Sequence, residues 1–342
     1  PQTTCVGCQR ARQLEVAAVT AEEAVLAERA LLWRAQRFTA DAPDLGLALD
    51  RLLAQLSLEK IEENVFRGES QDLGWGTVFG GQVLGQALSA AVQTVPGDRA
   101  VHSLHGYFLL PGDVKKPIVY NVDRIRDGGS FTTRSVSGIQ SGRPIFHLSA
   151  SFQTAEDGPN HQSPMPEVPA PATLPTEAER LLPYADALPP FLRARLSVDH
   201  EHAVLGRAPF ELRSADPVDD PFHPAPREAL RKVWLKTAAP LPDDPALHRY
   251  LLAYATDHAF LTTALIPHGR TWLTPGMQMA SIDHAIWYHR PFRIDQWLLH
   301  VMESPNAHGG RGLVRGQIFD EAGNLVASTA QEGLLRPKAK RA

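Results

Sequence analysis

The sequence predicts an α+β protein made of two tandem copies of one unit, each a helix followed by antiparallel strands. Three observations support this prediction. The same order of helical and β-rich runs occurs in both halves of the chain, turn-forming residues fall at matching places, and a proline-rich stretch separates the halves. A helix followed by a strand meander buries its apolar stripe by lying on the concave face of the sheet. We therefore expect two sheets, each curved around one helix.

The first 50 residues are expected to form a helical N-terminal extension. Residues 13–38 are rich in Ala, Leu, Glu and Arg, which predicts one amphipathic helix, or two short ones, that docks on the rest or is dispensable. The charged residues interrupt the apolar centre that a signal peptide needs. The C-terminal KAKRA is not a peroxisomal address of the S-K-L type.

The two cysteines, Cys5 and Cys8, form a single C-x-x-C near the N-terminus. A zinc site needs two further ligands at suitable spacing, and the sequence has no second cysteine pair. So few cysteines argue against a disulfide framework and fit a reducing compartment. We expect no metal, no cofactor and a cytoplasmic location.

Charge and hydropathy exclude two classes of partner. The 342 residues carry a net charge of −4 and have a pI of about 6.4, which argues against nucleic acid and against a polybasic membrane patch. No uninterrupted apolar run is long enough for a transmembrane helix, so membrane insertion is not expected.

The first unit is expected at residues 58–155. VFGGQVLGQALSAAVQTV predicts its helix, because apolar side chains recur there at helical spacing. Four β-rich runs follow, broken by the turn signals DGG and SGRP. These runs are HSLHGYFLLPGD, KPIVYNVDRIRDGG, SFTTRSVSGIQSG and RPIFHLSASFQ.

A linker is expected at residues 156–226, which hold 14 of the 28 prolines. Proline lacks a backbone donor and breaks both helices and central strands. This stretch is therefore predicted to contain at most short helices, at 176–182 and 186–196, between two structural units.

The second unit is expected at residues 227–336. ALHRYLLAYATDHAFLTTALIPHG predicts one helix, and four β-rich runs follow it. These runs are MQMASIDHAIWYHRPF, DQWLLHVMES, RGLVRGQIFDEAG and NLVASTAQEGLLRP. Pro111 matches Pro291, and Gly142 matches Gly323, which supports an internal repeat.

Ser281, Asp283 and His284 stand almost side by side, as if they were a hydrolytic triad. Strand alternation predicts Ser281 and Asp283 on one face of the sheet and His284 on the other. A serine nucleophile needs its base within hydrogen-bonding reach, and no G-x-S-x-G turn occurs. We therefore expect no local triad, while a distant histidine remains possible as a base.

Two other polar residues lie in apolar surroundings. Asp257 falls within the apolar stripe of the second predicted helix, where a carboxylate is either tied to a structural partner or functional. Gln331 shares a strand face with Thr329, and by pattern alone it fits a satisfied strand residue. Structural or surface roles are expected for the strand histidines His102, His105, His284 and His289.

Six segments are similar to motifs of one family: FGGQVLGQAL (79–88), HSLHGYFLLPGD (102–113), TDHAFLTTAL (256–265), IDHAIWYHRPF (282–292), RGLVRG (311–316) and STAQEG (328–333). On these motifs, from about residue 58 to residue 336, the chain resembles the acyl-CoA thioesterase II family (TesB type). The resemblance implies a double hotdog fold, in which two sheets each wrap a long helix and join into one continuous sheet.

The resemblance also implies a reaction and its residues. Asp257, Ser281 and Gln331 match the family's catalytic positions, where they would hold one water that hydrolyses fatty acyl-CoA to free fatty acid and CoA. The family often has Thr where this chain has Ser281, so positioning of the hydroxyl is expected to be looser. Apart from the resemblance, we infer that backbone N–H groups at Gly80 and Gly81, at the start of the first predicted helix, would stabilise the oxyanion.

Other readings remain open at this point. Arg311 lies in a basic loop that would either meet CoA phosphates or be a solvated turn. A hotdog hydratase or dehydratase would need a poised His–Asp pair, and a non-catalytic acyl-CoA binding protein would need only the pocket. Exposed sheet edges of this fold favour a homo-oligomer.

One active site per chain is expected from the internal repeat. The alignment of TDHAFLTTAL with FGGQVLGQAL puts Gly80 at the place of Asp257. Val101 then stands at the place of Ser281, and Ala150 at the place of Gln331. The first half would thus carry none of the three polar side chains.

Overall fold

A computed structural model describes residues 45–337, except 75, 177–178, 181–183, 185–208, 218–219 and 275. The α-helices are α1 (Leu45–Leu56), α2 (Gly80–Val92) and α3 (Pro245–Thr256), and 3-10 helices lie at Pro171–Thr173 and Phe260–His268. The strands are β1 (Glu59–Glu62), β2 (Val65–Gly68), β3 (Arg99–Phe108), β4 (Ile118–Asp127), β5 (Phe131–Gln140), β6 (Arg143–Thr154), β7 (Phe210–Ser214), β8 (Leu230–Thr237), β9 (Met277–Ser281), β10 (Asp283–Tyr288), β11 (Leu298–His308), β12 (Arg311–Asp320) and β13 (Leu325–Pro337).

These strands form one antiparallel sheet in the order β1-β2-β4-β5-β6-β3-β10-β13-β12-β11-β8-β7, with β9 paired to β13. The two halves join where β3 pairs with β10, with His105 opposite Ala285. His105 is also opposite Ser149 on β6, and Ala285 is opposite Ala330 on β13. The sheet is therefore continuous and nearly symmetric about this seam, which confirms the double hotdog fold.

The two long helices pack against each other inside the sheet. A Cβ on Gly81 would clash with the Tyr254 carbonyl oxygen, and one on Gly85 would lie 3.2 Å from the Tyr250 carbonyl oxygen. Glycine thus lets the backbones of α2 and α3 approach closely. Residues 81–91 are all buried, not only the predicted stripe, because the sheet, α1 and α3 cover different sides of α2.

The N-terminal boundary differs from the expected one at residue 50. Helix α1 runs to Leu56, and its Leu49, Leu52 and Leu56 are buried in the same core as α2. The Ser89 hydroxyl donates to the Leu56 carbonyl at 2.9 Å, which ties the end of α1 to α2. The last turns of the expected extension therefore belong to the folded unit. Residues 13–38, Cys5 and Cys8 lie outside the described residues.

The proline-rich segment contains a strand that was not predicted. Phe210–Ser214 forms β7 and pairs with β8 at the edge of the sheet, where proline-rich flanks are tolerated because an edge strand needs only one partner. Earlier in the segment, the Pro169 carbonyl accepts a hydrogen bond from Trp234 Nε1 at 3.0 Å. The predicted short helix at 186–196 lies outside the described residues, as do most residues of the one at 176–182.

The second long helix is shorter than predicted. Asp244 caps the start of α3 by accepting from Ala246 N and Leu247 N. The helix ends at Thr256, because Ala259 has a left-handed backbone (φ 57°) that cannot continue it, and a 3-10 helix follows at Phe260–His268. Asp257 is therefore the C-cap of α3 and not a residue of its middle. Within the described part of the chain, no helix has the length and apolar character that would let it span a membrane.

Candidate active site

Asp257, Ser281 and Gln331 meet at one carboxylate oxygen. Oδ1 of Asp257 accepts from Ser281 Oγ at 3.1 Å and from Gln331 Nε2 at 3.0 Å. Gln331 Nε2 also donates to Ser281 Oγ at 2.6 Å. Asp257 is 8% exposed and Gln331 is 1% exposed, so the carboxylate is largely withdrawn from water and its two neutral partners compensate for part of that loss.

A β-bulge brings Ser281 to this point. Ser281 is opposite Gly333, whereas Ala285 is opposite Ala330, so the β9–β10 segment has one residue more than β13 over this interval. The extra residue resets the alternation of side chains. The prediction that Ser281 and His284 face opposite sides is therefore wrong, since both hydrogen-bond to Gln331.

Asp283 points to the outer face instead. Its Oδ1 accepts from Glu332 N at 2.6 Å, and its Oδ2 lies 2.9 Å from His105 Nε2. A bulge leaves a ladder N–H without its usual carbonyl, and here a side-chain carboxylate replaces that carbonyl. The Ser–Asp–His trio is thus not a triad, although the reason is the bulge and not simple alternation.

His284 contacts the Gln331 amide at its oxygen, the end away from Asp257. It is fully buried, its Nδ1 lies 3.0 Å from Gln331 Oε1, and its Nε2 lies 3.1 Å from Thr256 Oγ1. Burial lowers the pKa of His284, against the opposing effect of the Asp257 carboxylate. Sequence reasoning gave His284 only a structural or surface role, because no spacing rule connects it to Gln331.

Gly80 faces the carboxylate from the first half. A Cβ on Gly80 would lie 2.6 Å from Asp257 Oδ2, so only glycine leaves room beside this oxygen. Gly80 and Gly81 are the first residues of α2, and such N–H groups have no carbonyl within their own helix to bind. The structure thus brings Gly80 to Asp257, whereas the Cα of Gly81 packs against the Tyr254 carbonyl, where a Cβ would not fit.

The alignment of Gly80 with Asp257 is wrong. Gly80 starts its helix and Asp257 caps the end of the other, so the residue that corresponds to Asp257 is Gln93, the C-cap of α2. Gln93 donates to Ser89 O of its own helix. The register of the strands supports the other two equivalences. Ser149 lies opposite His105, and Ala330 lies opposite Ala285, so Ser149 corresponds to Ala330 and the next residue, Ala150, corresponds to Gln331.

Arg311 is not brought to the carboxylate. Its Nε donates to Glu332 Oε1 at 2.9 Å, and the side chain is about half exposed. Glu332 alternates with buried Gln331 along β13, so the Arg311–Glu332 pair lies on the outer face of the sheet. Within the described ranges, no group of three or more His, Cys, Asp or Glu side chains is arranged to hold a metal ion.

A cavity of about 210 Å³ extends from the chain around Asp257 towards the sheet. Ala255, His258 and Thr262 line it, together with the charged side chains of Asp216, Arg227 and Arg231 and with apolar side chains from the strands of the second half. These apolar residues include Leu212, Val233, Leu235 and Met302.

Comparison with known proteins places this site in a family. A family model described as acyl-CoA thioesterase matches residues 215–334, and one described as acyl-CoA thioesterase N-terminal domain matches residues 70–153. Acyl-CoA thioesterase 2 of Haemophilus influenzae is 46% identical over 288 residues, which are 84% of this chain and 98% of that protein. The chain belongs to the acyl-CoA thioesterase family. The human acyl-coenzyme A thioesterase 8 is 40% identical over 83% of this chain and 88% of its own length.

A solved structure supports the same assignment. The crystal structure of acyl-CoA thioesterase II TesB2 from Mycobacterium marinum has a TM-score of 0.68 and 40% identity, and the match covers 84% of this chain and 99% of that one. This agreement includes both halves, so the family member described here has the complete double hotdog.

The bulge of this thioesterase is predicted to depend on Asp283. Asp283→Ala leaves the Glu332 N–H without an acceptor, so we expect a loss of about 1–3 kcal/mol in the free energy of unfolding and a lower kcat. Asp283→Asn retains an acceptor oxygen and should lose less than half as much. Denaturant unfolding and steady-state kinetics of both variants check this. Equal stability of the Ala and Asn variants would contradict the role of the carboxylate in the bulge.

Proposed function

We propose that this protein hydrolyses fatty acyl-CoA to free fatty acid and CoA, using a water that Asp257 activates as general base. The single observation that carries the proposal is the asymmetry of the carboxylate. Oδ1 is bound by Ser281 and Gln331, while Oδ2 faces Gly80 at the start of α2. A water at Oδ2 would lie between the base and two helix-terminal N–H groups.

The hydrogen bonds define different roles for Ser281 and Gln331. The Ser281 O–H donates to Asp257, its oxygen accepts from Gln331, and one lone pair remains for the water. Both N–H bonds of Gln331 are already directed at Asp257 and Ser281. Ser281 thus orients the water directly, and Gln331 acts by holding the other two residues.

The chemical step needs no covalent intermediate. The water oxygen forms a bond to the thioester carbonyl carbon as one of its protons passes to Asp257. The C–S bond then breaks and the CoA thiolate leaves, because its conjugate acid is far more acidic than an alcohol. N–H groups of Gly80 and Gly81 stabilise the oxyanion, aided by the positive end of the α2 dipole. Asp257 finally releases its proton to the solvent.

Two rival functions fit the site less well. A hydratase or dehydratase needs a histidine beside the acid, but His258 is exposed while Asp257 is buried. A protein that only binds acyl-CoA needs no hydroxyl and amide converging on a carboxylate. A thiol reagent detects CoA release, and enoyl absorbance detects hydration, so one assay pair separates the three functions.

The cavity beside Asp257 is the proposed site of the acyl chain. The apolar part of its lining would contact the acyl chain, and its position next to residues 255–262 would bring the thioester carbonyl near the carboxylate. Arg311 remains the proposed contact for CoA phosphates because its side chain is about half exposed. Its pairing with Glu332 does not itself support this contact.

The remaining proposals concern organisation. We infer two hotdog units, the first from α1 to β6 and the second from β7 to β13, with a proline-rich linker between β6 and β7, and one active site per chain. A homo-oligomer is favoured because, within the described residues, Tyr107 and Trp287 are each almost half exposed and β1 is an edge strand of the sheet. A cytoplasmic location rests on the low cysteine content.

Removing the base should nearly abolish turnover. We expect Asp257→Asn to fold and to lose on the order of 10²–10⁴ in kcat, since an amide cannot accept the proton. Asp243→Asn is the matched control, because Asp243 is a carboxylate of the same half whose side chain is 94% exposed. CoA release is the measurement. Near-normal turnover of Asp257→Asn would reject the role of the carboxylate as base.

Ser281→Ala should be slowed and still active, because the water keeps its base and loses only one orienting group. Mass spectrometry of the parent enzyme, quenched during turnover, should show no acyl adduct. An inactive Ser281→Ala variant together with an acyl group on Ser281 of the parent would identify a covalent nucleophile and contradict the water mechanism.

Narrowing the cavity should change the preference for chain length. Val233→Phe is expected to lower kcat/KM for long-chain acyl-CoA on the order of tenfold relative to short-chain substrates. Val301→Phe on the neighbouring strand is the control, since Val301 packs with Trp234 away from the cavity. A chain-length series measures this. The same profile for the Val233→Phe variant and the parent would place the acyl chain elsewhere.

A further inference from the structure

The amide of Gln331 needs a fixed orientation for the proposed chemistry. Its Nε2 must face Asp257 Oδ1 and Ser281 Oγ, because a carbonyl oxygen placed 3.0 Å from the carboxylate would repel it. The amide has no intrinsic preference between its two ends, so its orientation is set by its partners, which are Asp257 and Ser281 at one end and the group that binds Oε1 at the other.

His284 binds Oε1. We propose that His284 is a positioning residue, which in its Nδ1–H tautomer donates to Gln331 Oε1 and thereby directs the amide nitrogen to Asp257 and Ser281. This proposal rests on the proposed function and adds a residue to it. The Nδ1 to Oε1 distance is 3.0 Å, and both groups are buried.

Thr256 can partner this tautomer, and the Gln331 amide oxygen is the group that requires it. The Thr256 hydroxyl lies 3.1 Å from His284 Nε2 and 3.2 Å from Ala253 O, and its single hydrogen is available to either acceptor. With the imidazole proton on Nδ1, Nε2 is the acceptor and the threonine donates to it. With the proton on Nε2, the Nδ1 lone pair would oppose Gln331 Oε1 and favour a rotated amide.

The environment keeps the ring neutral. His284 is 0% exposed, and burial lowers its pKa. The Asp257 and Asp283 carboxylates act in the opposite direction, and His105 acts with burial. Both ring nitrogens are occupied, by Gln331 and by Thr256, so the ring has none left for substrate or water and acts through the amide.

The bulge makes this arrangement possible. Without the extra residue between Ser281 and Ala285, Ser281 and His284 would face opposite sides of the sheet. With it, the two side chains reach opposite ends of one glutamine side chain. Thr256 directly precedes Asp257, so the same ring also ties the end of α3 to the strand that holds Gln331.

Two amide substitutions test the inference. In His284→Asn the amide nitrogen is bonded to Cγ, as Nδ1 is, and it retains a donor for Gln331. In His284→Gln the amide nitrogen reaches the place of Nε2, and the donor for Gln331 is lost. We expect His284→Asn to have a kcat at least about tenfold above that of His284→Gln, because misplacing a catalytic group by about 1 Å costs on the order of 10² in rate. KM should change little, since the ring does not touch the substrate.

His248→Asn and His248→Gln are the matched controls. His248 is also a buried histidine, but its Nδ1 accepts from Ile294 N near the opposite end of α3. The two control variants should have equal kcat values, so a general cost of replacing a buried histidine would not produce the expected difference. Equal kcat values of the two His284 variants, at whatever level, would overturn the proposal.

The parent enzyme provides a test that does not depend on variant folding. In protein labelled with ¹⁵N-histidine, nitrogen NMR at neutral pH should show a neutral ring with a protonated Nδ1 for His284. A protonated Nε2 would overturn the proposal. Failure of the proposed function is distinguishable, because it would appear as normal turnover in Asp257→Asn whatever the His284 variants do.

Discussion

A carboxylate held away from water is the interaction on which the rest of this site depends. Asp257 is buried at the end of α3, where the carbonyl groups of the helix already give a negative potential. Two neutral donors on Oδ1 compensate for the lost hydration of one oxygen only. The other oxygen keeps its capacity to accept a proton, and it lies beside the positive end of α2. Because the carboxylate is buried and both donors bind Oδ1, Oδ2 is the oxygen through which Asp257 can react.

The site belongs to neither half alone. The second half supplies the carboxylate, the hydroxyl and the amide, and the first half supplies the start of α2 and a glycine that leaves space beside Asp257 Oδ2. The close packing of α2 on α3 sets the distance between them. At the corresponding positions of the first half stand Gln93, Val101 and Ala150, which contribute no acid and no hydroxyl. The two units therefore contribute different parts of the site.

The repeat and the fold class could be predicted from the sequence, and the resemblance to a family selected the three polar residues that meet at one carboxylate oxygen. The local geometry could not be predicted. Strand alternation placed Ser281 and His284 on opposite faces, because a bulge leaves no mark in the spacing of residues. Helical periodicity continues past Asp257, so the end of α3 was not predicted. The helix ends because Ala259 has a left-handed backbone, a conformation that alanine rarely adopts and that tertiary contacts impose. β7 was not predicted because the prolines around this edge strand are equally typical of a linker. His284 was missed because its partner is 47 residues away in sequence.

The oxygen that enters the product tests the central claim most directly. In a single turnover in H₂¹⁸O, with enzyme in excess over acyl-CoA, direct attack by water predicts one ¹⁸O in the fatty acid carboxyl group and none in the enzyme. If Asp257 instead attacked the thioester to form an anhydride that water then opened at the aspartyl carbon, the first turnover would give unlabelled fatty acid and leave ¹⁸O in the carboxylate of Asp257. That result would contradict the account of Asp257 as a base.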